Sequence, residues 1–273
     1  MTKVSFFIVL SYLILSNAFG HSLTGAGKSF ASPSFSAKQE FYALRIYQLK
    51  TKEQEGRVDH YLQSAFLPAI HRLGMPKVGV FKPVGNDTAA IRRIYVLLTF
   101  HTLEQFVSLS TSLQKDAQYL ADGKDYLDGE YTNAPYDRIE NILLQAFPDA
   151  PQLLSPETLK TPLRERFYEL RSYESPTEKY FANKVQMFNQ GGEVALFKKH
   201  DCNAIFYGSV LASAHQPNLM YMLAFDSMTA RDEHWKAFGT DPMTKQLFAA
   251  SEYQHNISHV DQIFLHPTDY SDL

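Results

Sequence analysis

The chain has 273 residues with a formal net charge of −3, one cysteine, 16 tyrosines and 20 phenylalanines. The apolar content of 45% is sufficient for a packed core and excludes global disorder, and the nearly neutral charge offers no electrostatic surface for nucleic acid. A single cysteine excludes both an intramolecular disulfide framework and a thiolate zinc site.

The first 40 residues have the pattern of an export leader. Lys3 precedes an almost wholly apolar run over 4–15, and small residues follow it, which is the order of a cleavable signal peptide. The apolar run is too short for a membrane span, which needs about 20 residues. We predict a signal peptide over 1–20 and a flexible leader over 21–40, and hence an exported protein, periplasmic or extracellular, with no membrane span after cleavage. An uncleaved anchor is the alternative.

The rest of the chain carries one pattern twice. The block Phe-Tyr-Ala-Leu-Arg-Ile-Tyr at 41–47 recurs 126 positions later as Phe-Tyr-Glu-Leu-Arg-Ser-Tyr. The block that starts at Tyr95 recurs from Tyr221, again 126 positions later, and residues 77–81 precede their counterpart by 127. These spacings predict a duplicated unit, with domains over 41–150 and 166–268 joined by a proline-rich linker over 151–165.

The first unit is predicted to have the order β-α-β-β-α-β. The predicted strands are 41–49, 78–84, 93–100 and 139–147, and the first helix, over 58–73, contains Pro68, which is expected to kink it. Thr102 and Gln105 form a capping-box pattern at the start of the second helix. The polar segment over 116–137 is interpreted as a lid over one mouth of a barrel or as a solvated loop.

The second unit repeats this order. The predicted strands are 166–173, 204–211, 219–225 and 257–265. The predicted helices cover 178–189 and 193–200, and a third begins at Thr229 and carries Trp235. Both units therefore have the ferredoxin-like order. Because helices cover only one face of each sheet, the predicted fold class is α+β, with two tandem ferredoxin-like β-α-β-β-α-β units forming an intrachain α/β barrel.

Several motifs resemble the NIPSNAP family of the dimeric α/β-barrel superfamily. They are the two Phe-Tyr-x-Leu-Arg-x-Tyr blocks, the strand from Tyr95 to Phe100, and the segment His-Trp-x-Ala-Phe-x-x-Asp-Pro at 234–242. The resemblance spans 41–150 and 166–268, although the first unit lacks the Trp and the Asp-Pro. It implies tandem NIPSNAP domains of undefined biochemical role, since no reaction is established for the family.

The wider superfamily includes cofactor-free monooxygenases and haem enzymes, and its fold alone does not select a function. Our leading hypothesis is a protein that binds a small ligand in the barrel lumen. A monooxygenase-like or haem-dependent oxidoreductase and a protein-interaction module are the alternatives, so whether the chain is an enzyme stays open. A small molecule is the expected partner, and a homo-oligomer is also left open.

Alternation along the first strand of each unit selects the candidate ligand-binding residues. Tyr42, Leu44 and Ile46 form the more apolar face and are expected to pack on the helices. The opposite face is then expected to point into the lumen, and its candidate residues are Arg45, Tyr47, Glu169, Arg171 and Tyr173. The planar arginine guanidinium can donate two hydrogen bonds to a carboxylate, and a tyrosine offers a hydroxyl on an apolar ring. The ligand is therefore expected to be anionic or to carry a carbonyl. Alternatively, these groups satisfy charges at strand ends or carbonyls between the units.

The ten histidines do not indicate a metal site. His255 and His259 lie in or before a predicted strand, where residues four apart are about 13 Å from each other, too far to share a metal. No cofactor is expected, but haem stays open because it needs one axial histidine, for which His234 is the candidate. A surface or helix-end position is the alternative for His234. Cys202 is expected to be a small buried apolar residue.

Overall fold

A computed structural model describes residues 38–156 and 158–273. The predicted signal peptide and nearly all of the predicted leader lie outside the described residues. In the described ranges, no helix combines the length and the apolar character needed to cross a membrane.

Strands and helices alternate along the described chain. The strands are β1 (Phe41–Leu49), β2 (Gly79–Pro83), β3 (Arg92–Phe100), β4 (Arg138–Ala146), β5 (Phe167–Glu174), β6 (Asn203–Ala212), β7 (Asn218–Phe225) and β8 (His259–Pro267). The α-helices are α1 (Lys52–Tyr61), α2 (Leu67–Arg72), α3 (Leu103–Leu113), α4 (Ala117–Asp122), α5 (Lys124–Leu127), α6 (Glu178–Phe188), α7 (Glu193–Lys199), α8 (Met228–Thr240) and α9 (Pro242–Ala249).

The eight strands form one closed barrel in the order β1-β3-β2-β8-β5-β7-β6-β4, and every neighbouring pair is antiparallel. Within the first half, β1 pairs with β3 and β4, and within the second half β5 pairs with β7 and β8. The halves join where β2 pairs with β8 and β4 with β6. The predicted pair of ferredoxin-like units, closed into an intrachain α/β barrel, is confirmed.

The barrel interior is a packed apolar core that both halves supply. Tyr42, Leu44 and Ile46 of β1 lie in it with Tyr168 and Leu170 of β5 and with apolar residues of the other strands. Contacts cross between the halves, since the ring centroids of Tyr42 and Phe206 are 5.2 Å apart. Side chains of this size fill an eight-stranded barrel.

The predicted facing of β1 and β5 is wrong. Ala43 and Tyr47 pack with residues of α1, α2 and α3, and so the face that also carries Arg45 lies under the helices and not in the lumen. The closed interior is shielded from water on every side, so it receives the most apolar face, because a charge there would cost several kcal/mol. The outer face meets helix flanks and solvent, where an arginine can keep polar contacts.

The predicted equivalence of Tyr95 and Tyr221 is also wrong, by one residue. Val96 lies opposite Arg45, and Tyr221 lies opposite Arg171, so Val96 and Tyr221 are equivalent. A slip of one residue exchanges the faces of a strand. Tyr95 accordingly points into the barrel and Tyr221 toward the helices.

The first helical segment is longer than predicted. Thr51 caps it, accepting a hydrogen bond from the N–H of Gln54, and α1 starts six residues before the expected position. The apolar spacing did not indicate these residues because the first turns of the helix are polar. Leu62–Phe66 forms a π-helical turn between α1 and α2, in which the N–H of Leu67 donates to the carbonyl of Leu62. Pro68 has no N–H to continue the α-helical pattern, which accounts for the wider turn.

Further elements lie where the sequence indicated loops. The polar insertion contains α4 and α5, and α9 follows α8 through Asp241, whose carboxylate accepts a hydrogen bond from the N–H of Met243. Glu40, the last residue of the predicted leader, is buried, and its N–H donates to the carbonyl of Pro151. Cys202 is buried as predicted, and burial raises the pKa of its thiol to about 12.

Candidate functional site

A cavity of about 420 Å³ lies between the outer face of the first sheet and the helices of the first half. Strands β1, β3 and β4 supply its floor, α1 and the π-helical turn form one wall, and α3 forms the other. The insertion helices α4 and α5 contribute Tyr119, Leu120 and Leu127. A cavity of this size, with mainly apolar walls and few polar groups, is typical of a small-molecule site.

Arg45 is the charged residue in the lining of this cavity. Its Nε donates a hydrogen bond to the side-chain oxygen of Asn141 at 3.1 Å, and its guanidinium lies 5.6 Å from the ring centroid of Phe66. Among the described residues, no carboxylate lies within ion-pair distance of Arg45. The half-buried guanidinium, which stays protonated at any physiological pH, therefore has hydrogen-bonding capacity left for a ligand.

Tyrosines surround Arg45 on the helix side. The hydroxyls of Tyr61 and Tyr119, both in the cavity lining, are 2.8 Å apart, and Tyr126 stacks on Tyr61 with ring centroids 3.7 Å apart. Tyr47 packs edge-on against Tyr126. Burial, with the neighbouring tyrosines, raises the pKa of Tyr61 and Tyr126 well above the usual value. These phenols are therefore neutral at physiological pH, and Tyr61 and Tyr119 are the two that line the cavity.

The equivalent place in the second half is filled by a buried carboxylate, that of Glu169, which is 0% exposed. Arg171 Nε donates to Glu169 at 2.5 Å, Arg231 donates at 2.8 and 3.0 Å, and the indole N–H of Trp235 donates at 2.8 Å. The amide of Gln262 is a further donor. Burial alone would raise the pKa of Glu169, but the hydrogen bonds and charges of Arg231 and Arg171 hold it below the usual value.

The second-half arginine, Arg171, contacts several side chains of its own half. The Arg171 guanidinium lies 4.2 Å from the Trp235 ring centroid, and its Nη1 donates to the hydroxyl of Tyr173 at 2.8 Å. That hydroxyl also lies 2.7 Å from the hydroxyl of Tyr221. The chain itself therefore supplies Arg171 with partners that Arg45 lacks.

The five predicted ligand-binding residues form two separate groups, one in each half. Arg45 and Tyr47 lie at or beside the first-half cavity, whereas Glu169, Arg171 and Tyr173 belong to the closed second-half network. The prediction that both groups share one lumen is wrong, since the packed barrel core separates the two outer faces. That any of the five contacts a ligand stays a prediction.

Sequence reasoning missed Tyr61, Phe66 and Asn141 as lining residues. Two signals were available for them. Asn141 is a polar residue in the middle of a predicted strand, and the prediction of a helix around Pro68 placed a distorted segment beside Tyr61 and Phe66. Neither signal points to the cavity until it is known which face of β1 meets the helices.

His234 lies on α8 in the second half. Its Nδ1 is 2.8 Å from the carbonyl oxygen of His200, to which it can donate, and the ring tilts against Phe225. The cavity beside Arg45 has no histidine in its lining. The residues of this cavity therefore offer no axial histidine, and a haem-binding role for His234 stays a prediction.

Solved structures share this architecture over most of their length. A putative monooxygenase from Lactobacillus acidophilus NCFM has a TM-score of 0.53 at 8% identity, covering 84% of this chain and 94% of its own. A putative monooxygenase from Fusobacterium nucleatum has a TM-score of 0.51 at 6% identity, covering 85% and 93%. An anthrone oxidase-like protein has a TM-score of 0.50 at 9% identity, also covering 85% and 93%. At these identities the similarity establishes the fold alone.

The closed barrel of two β-α-β-β-α-β halves has the dimeric α/β-barrel fold, and here one chain supplies both halves. Its second half also carries a family sequence pattern, because residues 168–272 match the NIPSNAP family model. The second half of the chain therefore carries the sequence pattern of a NIPSNAP domain. No curated protein matches it. The family match thus covers the half with the closed network, while the cavity lies in the other half.

Proposed function

We propose that this protein, whose second half matches the NIPSNAP family model, binds a small, largely apolar ligand in the cavity of its first half. The observation that carries the proposal is a cavity of about 420 Å³ with a guanidinium in its lining that no carboxylate of the described chain neutralises. The apolar walls would bury the body of the ligand, while Arg45, Asn141 and the tyrosine hydroxyls would orient its polar group. The predicted anionic or carbonyl character of the ligand is kept, but its place moves from the lumen to this cavity.

We further propose that the protein is exported, to a periplasm or out of the cell. This proposal is supported by the signal-peptide pattern of residues 1–20 alone. An oxidoreductase reaction in the cavity is the alternative that the names of the structural neighbours suggest, and an interaction module is the other.

The binding proposal can be tested with a neutral apolar probe, N-phenyl-1-naphthylamine, by isothermal titration calorimetry. We expect the protein to bind one equivalent. Ser110 lies in the cavity lining on α3, so Ser110→Trp should weaken binding by about tenfold or more by occupying the cavity. The matched control is Val107→Trp, a residue on the same helix that is 75% exposed and outside the lining, and it should bind like the wild type.

Absence of saturable binding to the wild type would refute the proposal. Equal binding by the wild type and Ser110→Trp would also contradict it, since the probe would then bind elsewhere.

A further inference from the structure

The two halves differ at a few positions that surround the same arginine. Arg45 pairs across β1 and β4 with Asn141, and Arg171 pairs across β5 and β8 with Gln262, so the strand registers make Arg45 equivalent to Arg171. Two residues earlier, on the same strand face, the first half has Ala43 where the second half has Glu169. Arginine is thus present in both halves, but its carboxylate partner is present in only one.

The helices that cover these strand faces, α3 and α8, also differ at the positions that face the arginine. Thr102 caps α3 and Ser227 caps α8, each at the same distance from the end of the preceding strand. Counting from these caps, Ser110 stands where the second half has Trp235, and Phe106 stands where it has Arg231. Both of those second-half side chains bind the Glu169 carboxylate. Small and apolar residues therefore replace the carboxylate and its helix-borne ligands in the first half.

We infer that the first-half cavity binds a monocarboxylate with an apolar body, whose carboxylate takes at Arg45 the place that Glu169 takes at Arg171. This inference rests on the proposed function and names the ligand class of the same site. The second half shows how the fold accommodates a carboxylate beside this arginine, with Arg171 Nε at 2.5 Å and the strand-borne amide of Gln262 as a second donor. Asn141 stands where Gln262 does and supplies an amide to the first half. Its side-chain oxygen accepts from Arg45 Nε, so the Nη groups of Arg45 are the donors left for the ligand carboxylate.

The charge count favours a single negative charge. Arg171 offsets the charge of Glu169, and Arg231 is shared between Glu169 and Asp232. The first half has Phe106 in place of this second arginine and keeps only Arg45 as a charged residue in the cavity lining. A doubly charged phosphate would leave one charge without a cation in a partly buried site, which is costly. A carboxylate matches the planar guanidinium fork and the single charge.

The test compares two probes of the same shape, 2-naphthoate and the neutral 2-naphthamide, by isothermal titration calorimetry at pH 7. Hydrogen bonds that involve charged groups typically contribute enough to change affinity about tenfold or more, so naphthoate should bind at least about tenfold more tightly than naphthamide. Arg45→Met should abolish this preference and leave naphthamide binding nearly unchanged. The matched control is Arg93→Met, which removes the same charge at an exposed position of β3 outside the cavity lining and should retain the preference.

Ala43→Glu is a second variant that tests the carboxylate inference while Arg45 is kept. It places in the first half the carboxylate of the second half, so it should lose naphthoate binding by about tenfold or more while keeping a cooperative thermal transition. Equal affinity for the two probes, or a preference that survives Arg45→Met, would overturn the carboxylate inference. If naphthamide and the neutral naphthylamine bind but naphthoate has no advantage, only this inference fails; if none of the three binds, the proposed function fails with it.

Discussion

The exchange of Ala43 for Glu169 is the difference between the halves with the largest chemical consequence. An alanine leaves space next to Arg45, whereas a glutamate at the equivalent position gathers Arg171, Arg231 and Trp235 around a fully buried carboxylate. A buried charge that keeps all its partners is tolerated, but removing one partner is costly, because the other charges stay buried without compensation. The Glu169 side chain, together with Arg231 and Trp235, distinguishes the ion-pair network of the second half from the cavity of the first half.

The Glu169 network predicts an acid dependence of stability. Because Arg231 and Arg171 hold the pKa of Glu169 below its usual value despite burial, this carboxylate stabilises the fold above its unfolded-state pKa of about 4.3. The contribution is lost as the pH falls through the lower folded-state value. We expect Glu169→Gln to be less stable than the wild type by about 3–5 kcal/mol at pH 7, because it leaves Arg171 without its anion and Arg231 with the exposed Asp232 alone. This gap should narrow as the pH falls below about 4.

Urea unfolding of both proteins between pH 7 and pH 3 measures this gap. The difference in unfolding free energy between the two proteins should be compared, because Glu193 contributes to both. Burial raises the pKa of Glu193, so its protonation in acid favours the folded state, which is opposite to the effect of Glu169. A gap that stays constant over the whole range would show that the charge of Glu169 does not stabilise the fold.

At the level of elements, the two halves begin their helical layer differently. The first half has an almost continuous segment, α1, a π-helical turn and α2, and the turn places Tyr61 and Phe66 in the cavity lining. The second half instead breaks after α6, and Gly192 adopts the left-handed conformation with φ of 85° that caps the start of α7. A buried ion pair between Lys184 of α6 and Glu193 of α7 bridges the break, with Nζ to Oε2 at 2.9 Å.

This ion pair predicts a non-additive response to mutation. Lys184 and Glu193 are 1% and 2% exposed, so Lys184→Met should destabilise the protein by about 3–5 kcal/mol by leaving the carboxylate buried without its cation. The double variant Lys184→Met/Glu193→Leu removes both charges and should be more stable than either single variant. Urea unfolding of the four proteins gives the coupling free energy.

Lys50→Met is the control for that cycle. Lys50 pairs with Asp137 at 2.5 Å but is 62% exposed, so its loss should change stability by less than about 1 kcal/mol. Additive effects of the Lys184 and Glu193 substitutions would mean that the two charges do not depend on each other.

At the level of the whole molecule, the halves share one core. Residues of β1 to β8 meet inside the barrel, and neither half can bury the inner face of its sheet without the other. The sheet itself also continues across both junctions, since β2 pairs with β8 and β4 with β6. The physical unit of stability is therefore the barrel, although the covalent pattern is a tandem repeat.

The shared core predicts one cooperative unfolding transition. Trp235 is the single tryptophan and reports on the second half, whereas far-ultraviolet circular dichroism reports on both, and the two signals should coincide in urea. Phe206→Ala removes a ring that contacts Tyr42 of the other half, and it should shift both signals together, by about 3–5 kcal/mol. Two separate transitions, or a shift of the fluorescence alone, would indicate that the halves fold independently.

The order of elements could be read from the sequence because it depends on local patterns. Repeated strand blocks, helical spacing and the capping box at Thr102 led to the β-α-β-β-α-β order, and β1 has the predicted bounds. The match of the second half to the NIPSNAP family agrees with the resemblance that the same blocks indicated. Each of these patterns lies within a short stretch of the chain and can be read without knowledge of distant contacts.

Only the tertiary structure decided which face of each strand is interior. Alternation divides β1 into two faces but does not say which one meets the helices, and in this barrel the helix side receives Arg45 while the lumen receives Tyr42. The choice follows from closure, because the lumen is sealed from water by strands of both halves and excludes the charged face. The sequence thus determined that an arginine-bearing face exists in each half. Barrel closure determined that the two arginines lie at separate sites, one paired with Glu169 and the other in the lining of a cavity.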